Sequence, residues 1–173
     1  MTKIGLFSDT HDFLDEAIFE HFRNCDEVWH AGDFGSITLV NKMKSGFKAQ
    51  QPNLLIRGVY GNIDESEVKY EFPENLFFRC EEVNVMMQHI GGYPGRYSKG
   101  IQEQIVQNGI QLFISGHSHI LKVIYDEKLS CLHMNPGAAG KHGWHKVRTL
   151  LRFVIDKNQI KDCEIIELGP RSA

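Results

Sequence analysis

Apolar and polar positions along this chain change rhythm repeatedly, and each change predicts an element. Residues 3–8 carry Ile4, Leu6 and Phe7 in one short apolar run ending in small and polar residues, which predicts a buried strand. Asp12 then reads as a helix N-cap, with Leu14, Ala17, Ile18, His21 and Phe22 at helical spacing behind it. The order recurs with a strand over 27–31, a loop at Gly32-Asp33-Phe34-Gly35, and a helix over 36–44 whose Ile37, Val40 and Met43 share one face. A third strand over 54–59 runs into Gly61-Asn62. Residues 76–78 and 83–88 predict a hairpin about Glu81-Glu82, followed by His89 and a Gly/Pro-rich loop. A helix over 101–106 stops at Asn108-Gly109, and a strand over 112–115 leads into Gly116-His117-Ser118-His119. Beyond that point 121–125, 130–134, 148–155 and 160–167 predict strands. Strand-helix units first and a strand-rich second half make the expected class α/β, with no internal repeat.

A length of 173 residues suits one core, so a single domain over 1–173 is expected. Hydrophobic residues at 42% and charged residues at 24% are the usage of an ordinary globular protein. A net charge of -3, with no long basic run, argues against a general electrostatic grip on nucleic acid. A phosphate-bearing substrate would therefore need local positive charge. The apolar start is too short for a signal peptide, and no run reaches transmembrane length, so no membrane partner is expected. Cys25, Cys80, Cys131 and Cys163 form no C-x-x-C pair, which fits idle thiols in a reducing compartment and a cytoplasmic location.

The chemistry-bearing residues fall at strand ends: Asp9 and His11, Asp33, Asn62, His89, then His117 and His119. In open α/β sheets, ligand sites lie outside the carboxyl ends of strands, so side chains far apart in sequence can converge. Carboxylate oxygens, imidazole nitrogens and an amide carbonyl suit Mn, Fe, Zn, Co or Ni, and a carboxylate can bridge two cations where an imidazole serves one. Asp-x-His or Gly-Asp alone occurs by chance at polar strand ends; Gly-His-x-His directly off a strand is the stronger signal. The ordered set is what points to two divalent ions.

That order, Asp-x-His, Gly-Asp, Gly-Asn, His and Gly-His-x-His over residues 9–119, resembles the calcineurin-like metallophosphoesterase superfamily, and within it the small YfcE-like phosphodiesterase branch. The resemblance implies a four-layer α/β/β/α sandwich of two mixed sheets with a binuclear metal centre. It implies Asp9, His11 and His119 on one ion, Asn62, His89 and His117 on the other, and Asp33 bridging. Asp33, Asn62 and His89 are then the residues expected nearest the chemistry, which is in-line attack of a metal-bridging hydroxide on a small phosphodiester. Many relatives carry a histidine after Gly-Asn and the small branch often a cysteine; this chain has Ile63, so the usual proton donor for the leaving group is missing. Gln88-His89-Ile90-Gly91-Gly92 also departs from the common His-Gly-His form.

Two alternatives accompany this expectation: phosphomonoester hydrolysis, and a non-catalytic scaffold like the retromer subunit of the same fold. A scaffold has no reason to keep four metal-type imidazoles and two carboxylates in register. The branch resembled is often oligomeric, so a homo-oligomer is among the expected states. His30 is read as a satisfied strand histidine in preference to a ligand-orienting one, and Asp64 and Glu65 as either orienting or turn residues. Loop 141–148, with Lys141, His142, His145 and Arg148, is a weak candidate for phosphate or subunit contact.

Overall fold

A computed structural model describes residues 1–172. The first sheet runs β12-β11-β1-β2-β3. Its centre, β1 (Thr2–Phe7), β2 (Glu27–His30) and β3 (Leu55–Gly58), is parallel, while β11 (Val147–Asp156) and β12 (Gln159–Pro170) add antiparallel strands at one edge. The second sheet runs β4-β5-β8-β10-β9. Here β5 (Val83–Gln88), β8 (Leu112–Ile114) and β10 (Cys131–Asn135) are parallel, flanked by antiparallel β4 (Asn75–Cys80) and β9 (Lys122–Asp126).

Side-chain alternation on these strands builds three apolar layers and hence four layers of structure. On β1, Ile4 and Leu6 face the second sheet, meeting Val85, Met87, Leu112 and Ile114, while Phe7 faces the helices. That outer layer packs α1 (Ala17–His21), α2 (Ile37–Gln50) and α3 (Ser66–Glu71) through Ile18, Val40, Met43, Phe47 and Val68. On the other side, Phe113 of β8 and Met86 of β5 pack against Ile101 and Ile105 of α4 (Ile101–Gln107). Strands buried on both faces read as continuous apolar runs, which is why they were easily seen in the sequence. The result is the expected α/β/β/α sandwich of two mixed sheets.

Three local expectations are corrected. The first helix is only five residues long, and Asp12 does not cap it: Asp12 Oδ1 instead accepts from Ser36 N at 2.7 Å and Ser36 Oγ at 2.6 Å. The second helix continues to Gln50: Gly46 lies against the Phe19 ring without ending it, and Phe47 adds a further buried contact. The Gly/Pro-rich loop after His89 contains a hairpin, β6 (Gly92–Tyr93) and β7 (Arg96–Tyr97). No helix among the described residues is long and apolar enough to cross a membrane.

Candidate metal centre

Because β1, β2 and β3 are parallel, and β5 and β8 are parallel, the loops carrying Asp9, Asp33, Asn62, His89, His117 and His119 leave the carboxyl ends of neighbouring strands. The loops are then stitched together. Asp9 N donates to Gly32 O at 2.9 Å, His11 N to Asp33 O at 3.1 Å, and Gly116 N to His89 O at 3.0 Å. Ser8 Oγ donates to Asp9 Oδ2 at 2.6 Å, and from the loop after β8 in the second sheet His117 N donates to the same oxygen at 3.2 Å. Two glycines permit this closeness: a side chain on Gly32, which has φ +102°, would strike the His89 ring, and one on Gly61 would collide with the Asp33 carboxylate.

All seven expected residues meet here. Asp9, His11 and His119 each offer a ligand atom within 4.8 Å of the others, as do Asp33, His89 and His117. The groups adjoin: Asp33 Oδ2 lies 3.4 Å from His11 Nε2 and 3.1 Å from His89 Nε2, and Asp9 Oδ1 lies 3.1 Å from His119 Nε2. Asn62 Oδ1 joins through His117 Nδ1 at 2.9 Å. His89 Nδ1 donates to the Ala31 carbonyl at 2.7 Å, which leaves Nε2 as the nitrogen turned toward the cluster.

Do these residues fit a cation? Buried polar atoms nearly always have a hydrogen-bond partner. Asp9 Oδ1, His11 Nε2 and His89 Nε2 are buried without one, and all three point into the same space. The backbone is strained there as well: Asp9, His11, Asp33, His117 and His119 have φ of 54, 44, 57, 67 and 59°. Left-handed conformations cost non-glycine residues about 1–2 kcal/mol each, and such strain gathers at functional sites. The donor set, the orphaned atoms and the strain together fit divalent cations.

Charge follows the same logic. Burial alone would raise both carboxyls, yet the His11 and His119 imidazoles hold Asp9 well below the usual carboxylate range, and His11 and His89 do so for Asp33. For the imidazoles, burial works downward but the two carboxylates outweigh it, lifting His11 to about 9 and raising His89. His117 is lowered, by burial first and then by the His89 charge. The two carboxylates thus favour positive charge beside them, which is the preference a cation would answer.

Neighbours that sequence reasoning left open now have places. His30 is fully buried, stacked on Phe34 at 3.6 Å, with Gly32 N donating to its Nδ1 at 3.1 Å and Thr10 Oγ1 against its Nε2 at 3.1 Å. Burial pushes its pKa down to about 3, so it is a neutral support for the Asp33 loop. Asp64 accepts from Gly35 N at 2.8 Å and Gly61 N at 2.7 Å, clamping the Asp33 and Asn62 loops together, while Glu65 makes no side-chain cap bond. His142 stacks on His11 at 4.8 Å and His145 lies edge-on to His119 at 5.2 Å. Arg148, by contrast, is buried against Asp15 at 2.7 Å and does not reach the cluster's substrate side. Ser8, Thr10 and Ala31 were not picked out from the sequence; only their adjacency to Asp9 and Asp33 could have flagged them.

Residues 2–158 match the model of the calcineurin-like phosphoesterase superfamily domain. A probable metallophosphoesterase of Methanothermobacter thermautotrophicus is 28% identical over 142 residues, covering 78% of this chain and 76% of the relative. Among solved structures, a predicted phosphoesterase of Streptococcus pneumoniae TIGR4 superposes with a TM-score of 0.68 at 21% identity, covering 99% of this chain and 90% of that one. Vps29 of Entamoeba histolytica, solved in complex with Zn2+, gives 0.68 at 14% identity over 95% and 98% of the two chains. At these identities the solved structures bear on the fold alone.

Proposed function

The chain belongs to the calcineurin-like phosphoesterase superfamily, whose members are metal-dependent phosphoesterases, and from that premise we propose that it is a binuclear phosphodiesterase acting on small phosphodiesters. The observation that carries this reading is the position of Asp33 Oδ2, within 3.4 Å of an imidazole from each of the two clusters. In it, Asp9, His11 and His119 hold one ion, Asn62, His89 and His117 the other, and Asp33 both. Bound there, two divalent ions of the Mn, Fe, Zn, Co or Ni class supply Lewis acidity and an activated water.

The chain's own residues do the rest. Ser8 and the His117 amide fix the outer oxygen of Asp9, so its Oδ1 stays turned inward. Ile63 N does the same for Asp33, donating to Oδ1 at 3.0 Å and leaving Oδ2 free. Asn62 contributes a neutral oxygen where a third carboxylate would blunt the ion's charge. Arg148 is held by Asp15 and Lys141 lies 4.4 Å over the Phe13 ring, so neither is free to offset a second charge on the reacting phosphoryl group; this favours a diester there over a monoester. The scaffold alternative leaves the strained, orphaned carboxylate-imidazole cluster without a purpose.

The test is chelation followed by add-back of each ion, reading bis-p-nitrophenyl phosphate against p-nitrophenyl phosphate. The diester is expected to win by about tenfold in kcat/KM, about 1.4 kcal/mol; the opposite order would make this a monoesterase. Proton release gives an independent check on the ligand set. Because His11 is raised to about 9, an ion that takes its ring nitrogen must displace a proton at pH 7, and less so as pH passes about 9, with the upward shift of His89 acting in the same sense. Calorimetry in buffers of differing ionisation enthalpy should therefore show proton release at pH 7 that fades toward pH 9, with metal affinity rising over the same interval. No release at pH 7 would remove these imidazoles from the ligand set.

A further inference from the structure

Beside the cluster, with His117 in its wall, lies a pocket of about 160 Å³. His133 of β10 lines it while only 1% exposed, and neither ring nitrogen has a hydrogen-bond partner. Burial pushes this imidazole down to about 4, and the Phe113 backbone opposes it. The ring is therefore neutral, and its N–H completes no hydrogen bond within the protein.

Lys122 and Ser118 add donors to the pocket. Lys122 Nζ sits 3.6 Å over the Tyr93 ring, and among the described residues no carboxylate oxygen comes within 4.0 Å of it. Ser118 Oγ already accepts from Asn135 Nδ2 at 3.1 Å and Ile120 N at 3.2 Å, which leaves its proton free to donate. A second hydroxyl, Ser98, lines the pocket, and no Asp or Glu does. The space is ample for a phosphoryl or carboxylate group.

We propose that this pocket holds a small anionic arm of the substrate, a phosphoryl or carboxylate group joined by a short link to the ester at the His117 side of the centre. The proposal rests on the phosphodiesterase reading for what the arm is attached to; the anion site itself does not. Lys122 supplies the charge, Ser118 and His133 the directed donors, and the arm satisfies the buried ring. The enzyme would then prefer diesters whose retained substituent ends in an anion.

Two measurements separate the parts. In chelator-treated protein, the His133 ring nitrogens are followed by NMR while inorganic phosphate, or acetate as the carboxylate probe, is titrated in. Saturable movement that weakens at least about tenfold in Lys122→Gln is expected. Unmoved His133 signals, or movement indifferent to Lys122→Gln, would mean the pocket holds only water and overturn the proposal. In metal-loaded protein, kcat/KM for 2-carboxyethyl p-nitrophenyl phosphate and its 2-phosphonoethyl counterpart is compared with propyl p-nitrophenyl phosphate, all sharing one leaving group. A preference of about tenfold for at least one anionic ester, collapsing in Lys122→Gln, is expected, and the better of the two identifies the arm. Equal rates for all three would overturn it. Anion binding at His133 with no hydrolysis of any ester would instead defeat the phosphodiesterase reading and leave the anion site standing.

Discussion

Asp33→Asn is expected to lower kcat/KM for an aryl phosphodiester by about a thousandfold or more, about 4 kcal/mol at 1.36 kcal/mol per decade. The substitution keeps shape and removes one charge from an oxygen that lies 3.4 Å from His11 Nε2 and 3.1 Å from His89 Nε2, one imidazole of each cluster. Its Oδ1 is committed to Ile63 N at 3.0 Å, so an amide there would turn either its NH2 toward His11 and His89 or its nitrogen against a backbone donor. Both orientations weaken the grip on two cations at once. His30→Gln is the matched control: it alters a buried, neutral ring that touches Thr10, Gly32 and Phe34 and never the cluster's open space. It should lower stability, by the 1–3 kcal/mol typical of a disturbed buried contact, yet leave metal content per folded molecule near that of the parent. Metal analysis beside the rates distinguishes the two, and equal loss of metal in both variants would mean that His30, not Asp33 alone, governs the site.

The site was more legible than the loops that build it. Asp9, Asp33, Asn62, His89, His117 and His119 announce themselves because each ends an apolar run, and a parallel arrangement of those runs is enough to bring them together. What no local pattern carries is how the loops hold one another. Asp12 looked like a cap for the helix behind it, but the chain enters a left-handed turn there, φ 62°, and its carboxylate is taken by Ser36, which is 24 residues away. Asp64 had equal claims as a turn residue and an orienting one; it is a clamp on two backbone amides from different loops, a role visible only once those loops are side by side. His133 was simply one position in a strand, since alternation alone does not say that a polar residue on an outer face will share a pocket with Gly92 and Tyr93 of β6. In each case the deciding partner is distant in sequence.

Ile63 sets the second large expectation, a steep dependence of rate on leaving group. The Ile63 backbone holds Asp33 while its side chain, 43% exposed, stands where many relatives carry a histidine, and isoleucine has no proton to give. The neighbours do not replace it. Asp64 spends its carboxylate oxygens on Gly35 N and Gly61 N. His145 donates from Nε2 to the Gly140 carbonyl at 2.9 Å, so the nitrogen left facing the cluster is a bare acceptor. Among the described residues, His142 is exposed, stacks on His11 and makes no side-chain hydrogen bond. General acids contribute about 10²–10⁴ in rate, and without one the loss falls on the poorest leaving groups. The wild type should therefore hydrolyse bis-p-nitrophenyl phosphate readily and alkyl diesters poorly, with kcat/KM falling steadily as leaving-group pKa rises. Ile63→His should flatten that series, raising the rate on an alkyl diester about a hundredfold while changing the p-nitrophenyl ester little, because p-nitrophenolate leaves without help. A flat series in the wild type would show that a donor is already present. If His142→Phe then restored the slope, His142 would be that donor, and the absence of an acid at Ile63 would have been answered from the opposite side of the site.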